Sequence, residues 1–293
     1  MNVEDGNSKS EPLIPVELHG VPETMLWPLW NRAYESLRKD RLIEDPWSVS
    51  LVEQLDYDFR RSFGPPNRGH GIRSRVGDDL VRDYLQRHGS DARVVALGEG
   101  LETQFLRRGE PDVAWYSVDL PEALEARCSL LPKMEKLEML PFSALDTNWM
   151  DAIRPGAPPF ISAMGLFMYF EEQEVAELLT TIAARFPQAE LFFDAIPVLF
   201  SRKTLRGMQI TKDYRAPPMP WGISVDDIAS FLGRHGDWDP VFVQTYAQPH
   251  PRAMRLYAVL SRIGPIRRKL APSLVHARAR PASGAASTPP SPS

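Results

Sequence analysis

The chain has 293 residues, 43% hydrophobic and 25% charged, so it can bury one large core, and one catalytic domain with additions is expected rather than two equal domains. The single cysteine, Cys128, excludes an internal disulfide and argues against a cysteine-rich zinc site. The polar start MNVEDGNSKSEP is no signal peptide, and the longest strongly apolar run, residues 160–170, is too short to cross a bilayer, so a soluble, cytoplasmic protein is expected.

In chain order, residues 1–14 lack periodicity and are expected to be disordered. Residues 15–90 read as an N-terminal helical cap. Met25, Leu26, Leu29, Trp30, Ala33 and Leu37 give a first helix an apolar stripe, and Asp45-Pro46 is a good start for a second. The loop at residues 63–69 precedes a third helix with Ile72, Val76, Leu80, Tyr84 and Leu85 on one face and Gly89 just past its end. Arg73 and Arg75 lie near its start, where they either hold a ligand carboxylate or pair with Asp78 and Asp79.

Residues 94–97 form a short β-prone run followed at once by Gly98-Glu99-Gly100, a turn at which backbone and ligand can approach closely. A second run, residues 114–118, ends at Asp119, roughly 20 residues after the turn, the distance at which a carboxylate in a strand-helix-strand unit meets a ribose. Alternation continues with a helix over 122–131, strands at 137–140 and 160–164, an amphipathic helix carrying Val175, Leu178, Leu179, Ile182 and Phe186, and a strand at 191–193 with Asp194 at its tip. This predicts an α/β, doubly wound Rossmann-like sheet over residues 91–270. Residues 197–224, with Met219 and Trp221 among prolines, read as a lid insertion or as a proline-stiffened surface loop. A helix at 225–232 follows, and runs at 241–246 and 253–260 are expected to pair as an antiparallel closing hairpin. Residues 271–293 are expected to be a disordered tail, basic and then rich in Pro and Ser.

The net charge of -4 hides an asymmetry, because eight of the 34 basic residues follow the last acid, Asp239. With few aromatics and no nucleic-acid module, this basic end reads as the complement of an acidic body, and neither a nucleic-acid nor a membrane partner is expected.

The glycine turn lacks the third glycine of a dinucleotide fingerprint, since Thr103 stands there. The acids Glu99 and Glu102 would repel a pyrophosphate and suit a cationic or zwitterionic cofactor with a ribose, which points to S-adenosylmethionine. The six histidines do not cluster at ligand spacings, so no metal site is expected.

Residues 95–105 (VALGEGLETQF), 115–122 (WYSVDLPE), 143–149 (SALDTNW) and 164–170 (MGLFMYF) resemble, in order, the motifs of the leucine carboxyl methyltransferase family, and more closely its bacterial polyketide O-methyltransferase branch. The resemblance runs over residues 23–260 and implies a class I methyltransferase sheet with N-terminal helices and a helical lid. It also implies that Gly98 and Gly100, with Glu99 between them, line the methionine part of S-adenosylmethionine, that Arg73 takes its carboxylate, that Asp119 beside Leu120 takes the ribose hydroxyls, and that Ser143 and Ala144 take the adenine. The chain departs from the family at Glu23, where a lysine is common, at residues 100–104 (GLETQ), and at Met164, where a glutamate is usual and where the backbone carbonyl is left to meet the cofactor's ammonium.

The implied reaction is in-line transfer of a methyl group to an oxygen of a small-molecule acceptor, in a water-poor pocket. A carboxylate acceptor needs no base, whereas a phenol does, and His70 and Asp194 are the candidate bases. Met168 and Tyr169 face the substrate or simply pack, and Trp221 is a candidate substrate contact in the lid. The alternatives are a non-catalytic S-adenosylmethionine-binding or assembly protein and a nicotinamide-dependent oxidoreductase.

Overall fold

The continuous apolar runs of the predicted strands become two buried layers, one on each face of a single seven-stranded sheet. The computed structural model describes residues 13–16 and 20–281. Its strands are β1 (Arg93–Leu97), β2 (Ala114–Asp119), β3 (Leu137–Pro141), β4 (Phe160–Ala163), β5 (Glu190–Ala195), β6 (Trp238–Thr245) and β7 (Ser273–Ala279). They lie in the order β3-β2-β1-β4-β5-β7-β6, with β1 to β5 parallel and β7 antiparallel to both of its neighbours. On β1, Val95 and Leu97 point to one face, against Val175, Leu179 and Ile182 of the helix Glu172–Arg185 (α7), while Val94 points to the other, with Ile72 and Tyr84 of the helix Gly69–His88 (α4). This is the doubly wound arrangement expected. The strand order reverses between β1 and β4, and a crevice at the carboxyl ends of these strands is where such a sheet receives ligands.

Helix ends follow local chemistry. The helix Leu26–Ser36 (α1) packs on Phe59–Phe63 (α3) and on Pro46–Gln54 (α2), whose N-cap Asp45 accepts the Ser48 amide at 3.1 Å. Gly89 caps α4 with φ 54°, a conformation that glycine adopts without strain. The helices Gln104–Arg107 (α5) and Pro121–Leu130 (α6) follow β1 and β2. Among the described residues, no helix is long and apolar enough to cross a membrane.

Three expectations fail at the C-terminal end. Residues 253–260 hold the helix Arg255–Leu260 (α10), followed by Gly264–Leu270 (α11), and not a strand. The partner of β6 is β7, drawn from the stretch expected to be a disordered tail. Residues 273–279 look like part of a basic tail, but Arg278 and His276 are held by Glu190 of β5, at 3.0 Å each, so basic side chains that read as solvated pair with a buried acid of the sheet. At the other end, Ile14–Pro15 is ordered by a short parallel pairing with Leu55–Asp56. The expectations for residues 1–12 and from residue 282 onward lie outside the described residues. The lid insertion holds the helix Val198–Leu205 (α8) and leads to Ile228–Arg234 (α9).

Candidate active site

A cavity of about 510 Å³ opens at the carboxyl ends of the central strands. Its floor comes from the turns after β1, β2, β3, β4 and β5, and its walls from the N-terminal helices and from α8. Of the residues singled out in the sequence, Arg73, Gly98, Glu99, Gly100, Asp119, Leu120, Ser143, Ala144 and Met164 line it together, as do His70, Met168, Tyr169 and Asp194.

The glycine turn is built for close approach. Gly98 has φ 60°, its amide donates to the Val118 carbonyl at 2.8 Å, and a β-carbon there would lie 2.6 Å from Leu166 Cδ1. Gly100, with φ 51°, donates its amide to Asp119 Oδ2 at 2.8 Å, and the Leu120 amide donates to Oδ1 at 2.9 Å. Two backbone amides thus fix the Asp119 carboxylate and leave each of its oxygens a further lone pair for a hydroxyl. Burial pushes the Asp119 carboxyl up, and those two amides work against it.

Two groups of buried charge brace the turn, and sequence reading missed both. Arg127 of α6, fully buried, donates from Nη1 to the Gly100 carbonyl at 2.7 Å and the Glu102 carbonyl at 2.6 Å, and its Nη2 lies 3.3 Å from Glu99 Oε2. Neither Glu99 oxygen accepts a well-formed hydrogen bond, and burial pushes the Glu99 carboxyl up against the pull of Arg127. Behind the turn, Glu102 meets Arg107, Arg32 at 3.3 Å and Ser74 at 3.1 Å, and Arg107 also holds Asp78 at 2.9 Å. Gln104 donates to Asp78 at 3.0 Å. The departures at 102 and 104 are therefore members of a connected network that ties α1, α2 and α4 to the turn. The only sequence signal for it is an unusual number of arginines among apolar residues.

Arg73 and Asp194 form one unit. Arg73 is 4% exposed, and its Nη1 reaches Asp194 Oδ1 and Oδ2 at 3.3 and 3.1 Å while its Nε has no partner. Asp194 also accepts the Gly165 amide at 2.5 Å and the Tyr246 hydroxyl at 2.7 Å. Burial opposes the charge on Arg73, but Asp194 outweighs it and the guanidinium stays protonated. Arg75 pairs with Asp79 at 2.8 Å, so of the two arginines only Arg73 serves the cavity.

The substrate side is apolar. Met168, Ile196 and Met219 form a small buried cluster with Tyr169 and Phe200 packed on it, and Met219 lines the cavity. Trp221 does not. It is 1% exposed and sits in the core between Phe167, Phe193 and Phe231, with ring centroids 5.5 to 6.3 Å away, so the proposed substrate contact at Trp221 is corrected. A flat apolar ring fills the core at least as well as it fills a ligand pocket, and the chain turns Met219 outward to the cavity instead. Glu23 is not part of the cavity lining, and its carboxylate accepts a hydrogen bond from the Tyr57 hydroxyl at 2.7 Å.

Comparison with known proteins bears on this geometry. The family described as leucine carboxyl methyltransferase matches residues 26–183. The tetracenomycin polyketide synthesis O-methyltransferase TcmP of Streptomyces glaucescens is 30% identical over 184 residues, covering 62% of this chain and 68% of TcmP. A putative S-adenosyl-L-methionine-dependent methyltransferase of Frankia alni is 31% identical over 191 residues, covering 56% of this chain and 64% of the relative. Among solved structures, the CcbJ methyltransferase of Streptomyces caelestis superposes with a TM-score of 0.47 at 10% identity, over 74% of this chain and 91% of CcbJ.

Proposed function

The chain belongs to the leucine carboxyl methyltransferase family and is an S-adenosylmethionine-dependent methyltransferase, and from that premise we propose that it methylates an oxygen of a small-molecule acceptor, a carboxylate in the first place. The observation that carries the cofactor side is the Asp119 carboxylate, held by the Gly100 and Leu120 amides beside a glycine turn at the wall of the cavity. The residues fit the cofactor in two further respects. The Nε of Arg73 is buried and unpartnered, and Glu99 and Asp119 bring carboxylates to the cavity lining, which suits a cofactor carrying positive charge. We assign Asp119 with Leu120 to the ribose, Ser143 and Ala144 to the adenine, and Gly98, Glu99, Gly100, Arg73 and Met164 to the amino-acid end.

When bound, S-adenosylmethionine supplies an electrophilic methyl group on a positively charged sulfur. The protein's part is to position the acceptor in line and keep water out, and the Met168, Ile196 and Met219 cluster with Tyr169 gives an apolar wall for that. The preference for a carboxylate rests on the two candidate bases, both of which are engaged among the described residues. Asp194 is occupied by Arg73, Gly165 and Tyr246, and the His70 Nδ1 is 2.6 Å from Asn31 Nδ2. A carboxylate arrives ionised and needs no proton removed, whereas a neutral phenol does. The similarity to TcmP supports a polyketide-like acceptor and a place in secondary metabolism.

The test is titration of S-adenosylmethionine into wild type and Asp119→Ala, followed by product analysis with a panel of aromatic acids and phenols. The alanine variant is expected to bind at least about tenfold more weakly, since two charge-assisted hydrogen bonds are lost. Equal affinity would overturn the site. Release of S-adenosylhomocysteine with a phenol but no acid would overturn the carboxylate preference.

A further inference from the structure

We propose that Asn31 locks His70 as a hydrogen-bond donor toward the acceptor, so that this histidine orients the substrate oxygen and does not deprotonate it. The proposal rests on the methyltransferase reading above, but its key step follows from hydrogen-bond chemistry alone. Asn31, on α1, is fully buried, and its Oδ1 receives the backbone amide of Asn67 at 2.8 Å. A backbone N–H can only donate, so the carbonyl end of the Asn31 amide is fixed there and its NH2 end must face the other way. That end, Nδ2, lies 2.6 Å from His70 Nδ1, on the first turn of α4. An amide NH2 cannot accept, so Nδ1 must, and a neutral His70 then carries its proton on Nε2.

The ring is neutral. Burial holds its pKa well below the usual histidine range, Arg73 on α4 and Arg32 on α1 push in the same direction, and Glu102 on the glycine turn opposes them. The ring is nevertheless only half-buried by accessible surface, because one side lines the cavity. Its plane is set by Trp27, edge-on with a centroid distance of 6.1 Å and an interplanar angle of 73°. Among the described residues Nε2 has no hydrogen-bond partner, and it is not one of the polar atoms buried without one, so the N–H remains for a ligand.

A donor fixed in this way suits an acceptor that arrives ionised. It can hold the non-attacking oxygen of a carboxylate, leaving the other oxygen to form the O–CH3 bond as the S–CH3 bond breaks; the sulfonium charge and the carboxylate charge cancel and no proton moves. It cannot take the proton of a phenol, because the ring nitrogen facing the cavity already carries one. Asn31 is then a positioning residue acting through His70.

The direct test is long-range proton–nitrogen correlation NMR on the full chain carrying nitrogen-15 histidine, with His70→Gln used to assign the signal among the six histidines. The expected result is the Nε2–H tautomer at neutral pH in wild type. In Asn31→Asp, whose carboxylate would accept from Nδ1–H, the signal is expected to switch to the Nδ1–H or the doubly protonated form. An Nδ1–H or doubly protonated ring in wild type overturns the proposal. A second measurement titrates naphthoate into protein loaded with S-adenosylhomocysteine. His70→Ala and Asn31→Asp are expected to bind about tenfold more weakly, and His70→Gln, which keeps an N–H donor, to stay within about threefold of wild type. One affinity for all four proteins, measurable or not, overturns the orienting role. Failure of wild type to bind S-adenosylmethionine would instead defeat the methyltransferase reading and leave the tautomer result standing.

Discussion

At the scale of single residues, Arg127 shows how much of the cofactor turn depends on a side chain with no cofactor role. Its guanidinium supplies hydrogen bonds to the carbonyls of Gly100 and Glu102 and the countercharge of Glu99, all in a buried setting. Arg127→Met would leave two carbonyls without these donors and a buried carboxylate without a partner, at a cost of about 3–5 kcal/mol. Adding Glu99→Gln should recover part of that loss, because the uncompensated charge goes with it, and a double-mutant cycle read by thermal melting checks this coupling. If the losses simply add, Arg127 does not act through Glu99. The contrast with Asp119 and Gly98 is instructive for legibility. Their places at strand ends follow from a strand-turn-strand pattern, so spacing marks them as candidates, whereas no pattern links Arg127 to its partners 25 and 27 positions away in the chain. Arg73 with Asp194, 121 positions apart, was legible only as two separate candidates.

At the scale of elements, local patterns were enough where apolar residues marked the buried surface. The stripe on α4 and the cap at Asp45 were readable, and so were the apolar runs of β1, β2 and β4. They were not enough for β7, whose His276 and Arg278 pair with another strand. Glu190 of β5 holds His276 at 3.0 Å, Arg87 at 2.8 Å and Arg278 at 3.0 Å. Burial alone would raise the Glu190 pKa, but His276 and Arg87 outweigh it and bring it down to about 2. A carboxyl depressed in the folded state contributes stability that is complete above its unfolded pKa and is lost as pH falls toward the folded value. The window here runs from about pH 4.5 down to about 2. With Arg87 and Arg278 half exposed, roughly 1–3 kcal/mol is at stake after allowing for solvent screening. Thermal melts across that window should show a smaller acid-induced decrease in Glu190→Gln than in wild type, and an unchanged slope would show that the cluster does not carry the acid sensitivity.

At the scale of the whole molecule, the order β3-β2-β1-β4-β5-β7-β6 makes residues 273–279 a structural member rather than an appendage. β7 lies between β5 and β6 and pairs with both, so the sheet is closed by the last of the described elements. Its Leu274, Val275 and Ala277 are fully buried, split between the two layers of core. Without β7, β6 loses its only partner in the sheet, β5 acquires a bare edge of unpaired amides and carbonyls, and the buried Glu190 is left with Arg87 alone. The cavity suffers as well, because α10 and α11 are anchored at one end by β6 and at the other by β7, and Met254, Tyr257 and Leu270 from that connection line it. Truncation after Leu270 should therefore do more than shorten a tail. It is expected to abolish cooperative thermal unfolding and, with it, S-adenosylmethionine binding, although every residue assigned to the cofactor lies upstream of the cut. Circular dichroism melting of the truncated chain beside the full one decides the matter: a retained cooperative transition would mean that the parallel core, β1 to β5, folds without its closing strand.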